Sequence, residues 1–395
     1  MSGSWQRAAR GAMLLGENGE LSPTIFAEMS ALALRTDSIN LGQGFPDEDG
    51  PSEVLEAARD AISAGLNQYP PGIGMPVLRE AIATHQRRFY GLDVDPDREV
   101  LVTAGATEAL AATLLALTEP GDEVVTLEPF YDSYAAIVGL AGATHVTVPL
   151  RLPDFQPDPD DLRRAINDRT RVILLNSPHN PTGSIIALET LRLIVELAEK
   201  HDAIIVTDEV YEHLVFDGVH VPIATLAPHR TVSISSGGKT FNTTGWKIGW
   251  ITAPAEIVQS ILAVKQFLTF VNGAPFQPAI AVGLGLPDDY FVTAAATLKA
   301  KRDILAHGLE RAGFRVTIPQ AGYFIIADAA PLGVLDANRF ARDLPTAARV
   351  VGIPVTAFVR PENRAPYASL LRFAFCKRQT VLEEAAERLA ELSSR

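Results

Sequence analysis

Five short runs, apolar on both faces and separated by helical stretches, limit what this chain can fold into more than any other feature. They lie at 99–103 (EVLVT), 123–127, 171–175 (RVILL), 203–207 (AIIVT) and 231–235 (TVSIS). Helical patterns stand between them at 107–117, 134–140 and 187–200. A strand with no polar face cannot line solvent, so a sheet built from such strands needs helices on both sides. The alternation predicts an α/β architecture with a mostly parallel sheet, spanning roughly residues 50–280. Further along, a long helix at 290–312 precedes strands near 314–318, 323–327 and 370–375 and a terminal helix at 381–392. That order predicts a second, smaller α+β unit. The expected division is an N-terminal segment (1–45) packing on the small unit through a helix at 25–34, a large unit (46–285) and a small C-terminal unit (286–395).

Composition narrows the function. With 34 Lys plus Arg against 47 Asp plus Glu, the 395-residue chain carries a formal charge of −13. It lacks the electrostatic footprint of a general nucleic-acid or anionic-membrane binder. The lone cysteine, Cys376, excludes an intrachain disulfide and a multi-thiolate metal site. No run approaches the ~18 apolar residues of a membrane span. Arg7 and Arg10 precede only a short apolar patch at 12–15, too short for a secretory signal, so the expectation is a cytoplasmic enzyme.

Candidate chemistry sits at the ends of the predicted strands. The run Ser235-Ser236-Gly237-Gly238-Lys239-Thr240 resembles a P-loop, but the glycine that motif requires five residues before Gly238 is Ser233. What is left is Lys239 on a glycine turn after an apolar strand. There, partial desolvation would lower its pKa and make the amine nucleophilic towards carbonyls, although loop lysines are ordinarily solvated. Asp208 closes AIIVTDE, where ligands of open α/β sheets bind, and Tyr211 follows in the same turn; a helix cap beside a core tyrosine is the plain alternative. Asn180 lies in the proline-rigidified loop NSPHNPTG, which could equally be an ordinary tight turn. Gly105-Ala106-Thr107 would present free amides to an anion at a helix N-terminus. Arg372, inside the apolar strand LLRFAF, needs a partner, either a structural salt bridge or a ligand carboxylate. His179 is the one histidine within these motifs, and no HExxH-like metal spacing occurs.

Taken together, the motifs resemble the fold-type I, class I/II aminotransferases dependent on pyridoxal 5'-phosphate. NLGQGFPD (40–47), NQY (67–69), NSPHNPTG (176–183), TDEVYEHL (207–214), SSGGKTFNTTGWKIGW (235–250) and LLRFAFCK (370–377) stand in family order across nearly the whole chain. TIFAEMSALA (24–33), DEDGP (47–51) and PFYDSY (129–134) are similar to the N-succinyldiaminopimelate aminotransferase branch and the kynurenine aminotransferase/glutamine transaminase K branch.

The resemblance implies a seven-stranded-type large sheet and a set of roles. Lys239 would carry the cofactor and move the proton, Asp208 would pair with the pyridine nitrogen, and Tyr211 and Asn180 would bind the ring's 3′-oxygen. Tyr131 would stack on the ring. Gly105, Ala106, Thr107, Ser236 and Lys247 would hold the phosphate; relatives often have Arg in place of Lys247, and Lys binds as a point charge, not a fork. Tyr69 would reach the phosphate of a partner subunit in a homodimer. Arg372 would clamp the substrate carboxylate with Asn180 and the Gly44 backbone, and Phe26 would line the substrate pocket. The implied reaction moves an amino group between an amino acid, glutamate among them, and a 2-keto acid. The preferred substrate is N-succinyldiaminopimelate; the alternative is a kynurenine, aromatic or glutamine transaminase with cysteine-conjugate β-lyase activity.

Overall fold

In a computed structural model, which describes residues 3–16 and 18–394, the apolar runs assemble into one eight-stranded sheet. Its spatial order is Val100–Thr103, Gly249–Thr252, Thr231–Ser236, Ile204–Asp208, Thr170–Asn176, Glu123–Glu128, Thr144–Arg151 and Gln156–Pro157. Neighbours in the middle of the sheet run parallel, whereas Gly249–Thr252 is antiparallel to both of its neighbours. Seven strands agree with the expected size. The eighth, Gln156–Pro157, is a two-residue antiparallel edge strand.

Burial explains why these runs are strands. Every residue of Glu123–Glu128 and of Thr231–Ser236 is buried, as a sheet covered on both faces demands. The covering helices are amphipathic: Leu188–Lys200 turns Leu191, Ile194, Leu197 and Ala198 inward. Helix Gly105–Leu117 is instead apolar on most sides, because it lies between the sheet and the helices around it.

A second sheet is antiparallel, in the order Arg315–Thr317, Phe324–Asp328, Leu370–Ala374, Ile353–Pro354. Helices Asp288–Arg311, Ala337–Ala348 and Gln379–Ala390 pack around it and share one hydrophobic cluster with it. Helix Ile25–Thr36 joins that cluster through Met29 and Ala33, and Ile39–Asn40 pairs with Val350–Val351. The N-terminal segment is thereby split. Residues 4–11, expected to pack with the rest of 1–45 on the small unit, form helix Ser4–Gly11 and seat instead on helix Asp132–Ala141 of the large sheet. Gly139 permits the approach: a Cβ there would stand 2.5 Å from the Arg7 carbonyl oxygen. Among the described residues no helix is long and apolar enough to cross a membrane.

The seat of the first helix can be tested. Gly139→Ala should force it off its neighbour at a cost of about 1–3 kcal/mol, the usual range for overpacking. Hydrogen exchange at 4–11 should then accelerate while the Ile204–Asp208 strand keeps its protection. Unchanged exchange at 4–11 would mean that the helix does not depend on this contact.

Candidate active site

Sheet register decides where the polar groups gather. Asn176 lies beside Asp208 on adjacent parallel strands, and Gly249 lies between Thr103 and Ser236. Thr103, Asn176, Asp208 and Ser236 close their strands, and the antiparallel strand begins among them at Gly249; ligands of open α/β sheets bind at such carboxyl ends. A cavity of about 410 Å³ opens above them. Phe26, Gly44, Gly105, Ala106, Thr107, Tyr131, Asn180, Asp208, Tyr211, Ser236, Lys239, Lys247 and Arg372 all line it.

Tyr69 is the one residue singled out from the sequence that lies elsewhere. It is 83% exposed, packed against Phe270 at 5.6 Å, in a surface depression shared with residues 271–275.

At the cavity floor Asp208 is buried, accepts the Tyr134 hydroxyl at 2.7 Å and takes a longer bond from the Val210 amide. Burial raises its pKa, and Tyr134 and the nearby Lys239 charge pull the other way. No cation forms a salt bridge with it among the described residues. A base facing its carboxylate would therefore find an acceptor already oriented. Its backbone is fixed by Asn176, whose side-chain amide donates to the Asp208 carbonyl at 2.8 Å and whose Oδ1 receives the Asn180 amide at 2.7 Å. One asparagine thus ties the acid to the Asn180 loop. His179 plays no part in the cavity chemistry. It is buried, its Nδ1 is 2.8 Å from the Thr182 hydroxyl, and burial drives its pKa down to about 3, so it is neutral.

Lys239 extends from a single helical turn, Gly237–Thr240, that follows its strand. Its Nζ donates to the Gly44 carbonyl at 2.9 Å, and burial lowers its pKa. Nearby, helix Gly105–Leu117 begins with no side-chain cap on its first amides. Gly105 sits at φ +76°, and a Cβ there would meet the Lys247 ammonium at 3.1 Å. Uncapped amides beside a lysine that makes no ion pair among the described residues form an anion cradle.

Arg372 occupies the opposite wall. It is 1% exposed and donates to the Asn180 side chain at 3.1 Å and to the Gly42 carbonyl at 2.6 Å; its Nε has no partner. Phe324 lies 4.0 Å and Phe358 4.8 Å from the guanidinium carbon. Burial brings its pKa down to about 10, which leaves it charged at neutrality. The structural salt bridge considered from the sequence is absent: no carboxylate forms an ion pair with Arg372 among the described residues. An unpaired, desolvated guanidinium with a spare donor suits an incoming carboxylate.

Three contributors escaped the sequence reading. Tyr134 and Asn176 hold Asp208, and Phe324 covers Arg372. Tyr134 stands within PFYDSY, one helical turn after Tyr131, and that spacing could have pointed to it. Nothing in the sequence places Phe324 opposite Arg372, since the strand pairing that aligns Ile326 with Arg372 is set by the fold.

The donor set fits pyridoxal phosphate. An amine faces a carbonyl, a buried carboxylate suits a pyridine nitrogen, and amides with a cation suit a phosphate. Comparison with known proteins gives the same result. The sequence pattern of the family described as Aminotransferase class I and II matches residues 36–389. The chain is 51% identical over 384 residues to the probable N-succinyldiaminopimelate aminotransferase DapC of Mycobacterium tuberculosis H37Rv, covering 94% of this chain and 96% of that one. A solved structure of N-succinyldiaminopimelate aminotransferase from M. tuberculosis superposes with a TM-score of 0.91, over 94% of this chain and 97% of that one. Methionine aminotransferase of Escherichia coli K12 is 37% identical, over 94% of this chain and 97% of its own length. With amine, acid, anion cradle and guanidinium meeting in one cavity, the chain belongs to the class I and II aminotransferases, enzymes that use pyridoxal 5'-phosphate and act on amino and keto acids.

Proposed function

We propose that this aminotransferase exchanges the amino group of N-succinyldiaminopimelate with the glutamate/2-oxoglutarate pair in a ping-pong cycle. The 51% identity to the mycobacterial relative of that name supports the substrate. The observation that carries the reaction class at the level of the site is Arg372, buried and in no ion pair among the described residues, across the same cavity from the Lys239 amine.

Each wall of the cavity then has a task. Pyridoxal phosphate, when bound, takes up the electron pair released at the substrate's α-carbon. Lys239 is the residue that would hold the cofactor, and once free its amine would take the proton released at the substrate's α-carbon. A desolvated amine of lowered pKa suits that transfer. Asp208 keeps the pyridine nitrogen protonated, and Tyr134 holds the carboxylate in line. Tyr211 and Asn180 bind the 3′-oxygen, and Tyr131 covers the ring face. Gly105, Ala106, Thr107, Ser236 and Lys247 hold the phosphate. Arg372 fixes the substrate carboxylate while accepting orientation from Asn180, and Phe26 and Gly44 close the substrate side.

Tyr69 completes the phosphate site of a second copy, which makes the working unit a homodimer. Its exposure, together with Phe267 at 88% exposed, supports a partner surface there. The cofactor is held mainly by residues 46–285, and residues 286–395 form the small unit that supplies Arg372. The cytoplasm, where the buried free thiol of Cys376 stays reduced, is the assigned compartment.

A second reading also has an observation behind it. Among the described residues the cavity lining offers Phe26, Phe45 and Phe324 but no cation beyond Lys239, Lys247 and Arg372. That wall suits aromatic or kynurenine-type side chains. For the succinylated substrate, polar groups from the partner subunit must read the distal carboxylates.

Three measurements test these assignments. The visible absorption of purified holoenzyme should change on adding glutamate and return on adding the keto acid of N-succinyldiaminopimelate. Return with aromatic keto acids alone would replace the first substrate with the second. Lys239→Ala should still bind pyridoxal phosphate yet lose turnover by several orders of magnitude; wild-type activity in that variant would overturn the role given to the amine. Arg372→Ala should raise KM for every amino donor, by the equivalent of about 2–5 kcal/mol for a desolvated charge contact. An unchanged KM would assign carboxylate binding to another residue.

A further inference from the structure

Behind the turn that carries Asp208 and Tyr211 lies a second cluster of titratable groups, which the proposed mechanism does not use. His85 on helix Pro76–Tyr90 and His213 approach with their Nε2 atoms 2.6 Å apart. One ligand atom each from His85, Glu212 and His213 lies within 4.8 Å of the others. Glu212 is 6% exposed and accepts Tyr90 Oη at 2.6 Å and the Ser235 hydroxyl. Glu209, also buried, stands 3.8 Å from His220.

Polar capacity is left over in this cluster. Both ring nitrogens of His220 and Nδ1 of His85 are buried without a hydrogen-bond partner among the described residues. Among the described residues the two buried carboxylates here form no ion pair with a lysine or arginine: Arg88, close by in sequence, is engaged with Asp288 and the Leu286 carbonyl and stacks on Phe89. Buried carboxylates without compensating charge are costly, and a divalent cation removes that cost. Two imidazoles and a carboxylate form the nitrogen–oxygen donor set that suits zinc and its neighbours in the transition series, not calcium or magnesium.

We propose that His85, Glu212 and His213 bind a divalent transition-metal ion of the zinc class. Metal–nitrogen bonds near 2.05 Å in a tetrahedral site would set the two Nε2 atoms about 3.3 Å apart. A small rotation of the imidazoles, each held at only one nitrogen, opens the gap to that width. The ion is structural. It clips helix Pro76–Tyr90 to the turn that presents Asp208 and Tyr211, without touching the cofactor cavity.

The test uses holoenzyme stripped with a chelator and titrated with zinc chloride, metal content being read by plasma mass spectrometry after gel filtration. One zinc per chain should be retained, with a rise in the unfolding midpoint. Cobalt(II) should replace it and give the visible bands of a four-coordinate ion. His85→Gln and His213→Gln, both of which keep a polar side chain of similar reach, should each lose the retained metal while the cofactor's absorbance persists. Retention of no metal by the wild type overturns the proposal, and a neutral histidine pair is then the right description. Retention by both variants, or loss of the metal whenever pyridoxal phosphate is removed, places the ion elsewhere and overturns it equally.

Discussion

The guanidinium of Arg372 is the constraint around which the site is arranged. It is almost wholly removed from water and forms no ion pair among the described residues, so its charge is met by acceptors that other parts of the chain deliver. The Gly42 carbonyl comes from the N-terminal segment, the Asn180 side chain from a loop of the large sheet, and aromatic faces from Phe324 and Phe358. Four separate stretches of sequence converge on one cation. Its position therefore fixes the relation between the two sheets as much as it prepares a seat for substrate.

The strand that carries Arg372 also anchors the loop above Lys239. Ala374 donates its amide to the Leu41 carbonyl, and Lys377 donates to the Phe45 carbonyl at 2.7 Å. Between those anchors stands Gly44, whose carbonyl receives the Lys239 amine. The reactive amine of the large sheet is thus held by a loop tied to the small one. Electrostatics point the same way: burial lowers the Lys239 pKa and raises that of Asp208, so desolvation disfavours the charged form of both groups that face the cavity.

How much of this was legible in sequence depends on the kind of evidence each residue carries. Strands such as Thr170–Asn176 and Ile204–Asp208 announced themselves because both faces are buried, which leaves an unbroken apolar run. Thr144–Arg151 did not, since it lies towards the sheet's edge, where most of its positions are only half-buried or exposed. Gly249–Thr252 is four residues long and opens with glycine, too little pattern to name. Lys239, Asp208 and Arg372 were legible because each is a charge inside or just after an apolar strand, a placement that needs a reason. Tyr134 and Phe324 were not, for an aromatic residue among apolar neighbours reads as core until the partner opposite is known. Helix Ser4–Gly11 was hidden because only one of its residues is buried, and the contact that holds it is backbone against backbone.

That first helix has a practical bearing on handling the protein. It rests on helix Asp132–Ala141, which begins immediately after Tyr131 and contains Tyr134, so whatever pulls on the chain's start pulls on a wall of the cavity. At the other end, helix Gln379–Ala390 packs on Asp288–Arg311 and contributes nothing to the cavity lining. An affinity handle or fluorescent fusion belongs at the carboxyl terminus, where its drag is spent on two helices outside the cavity lining.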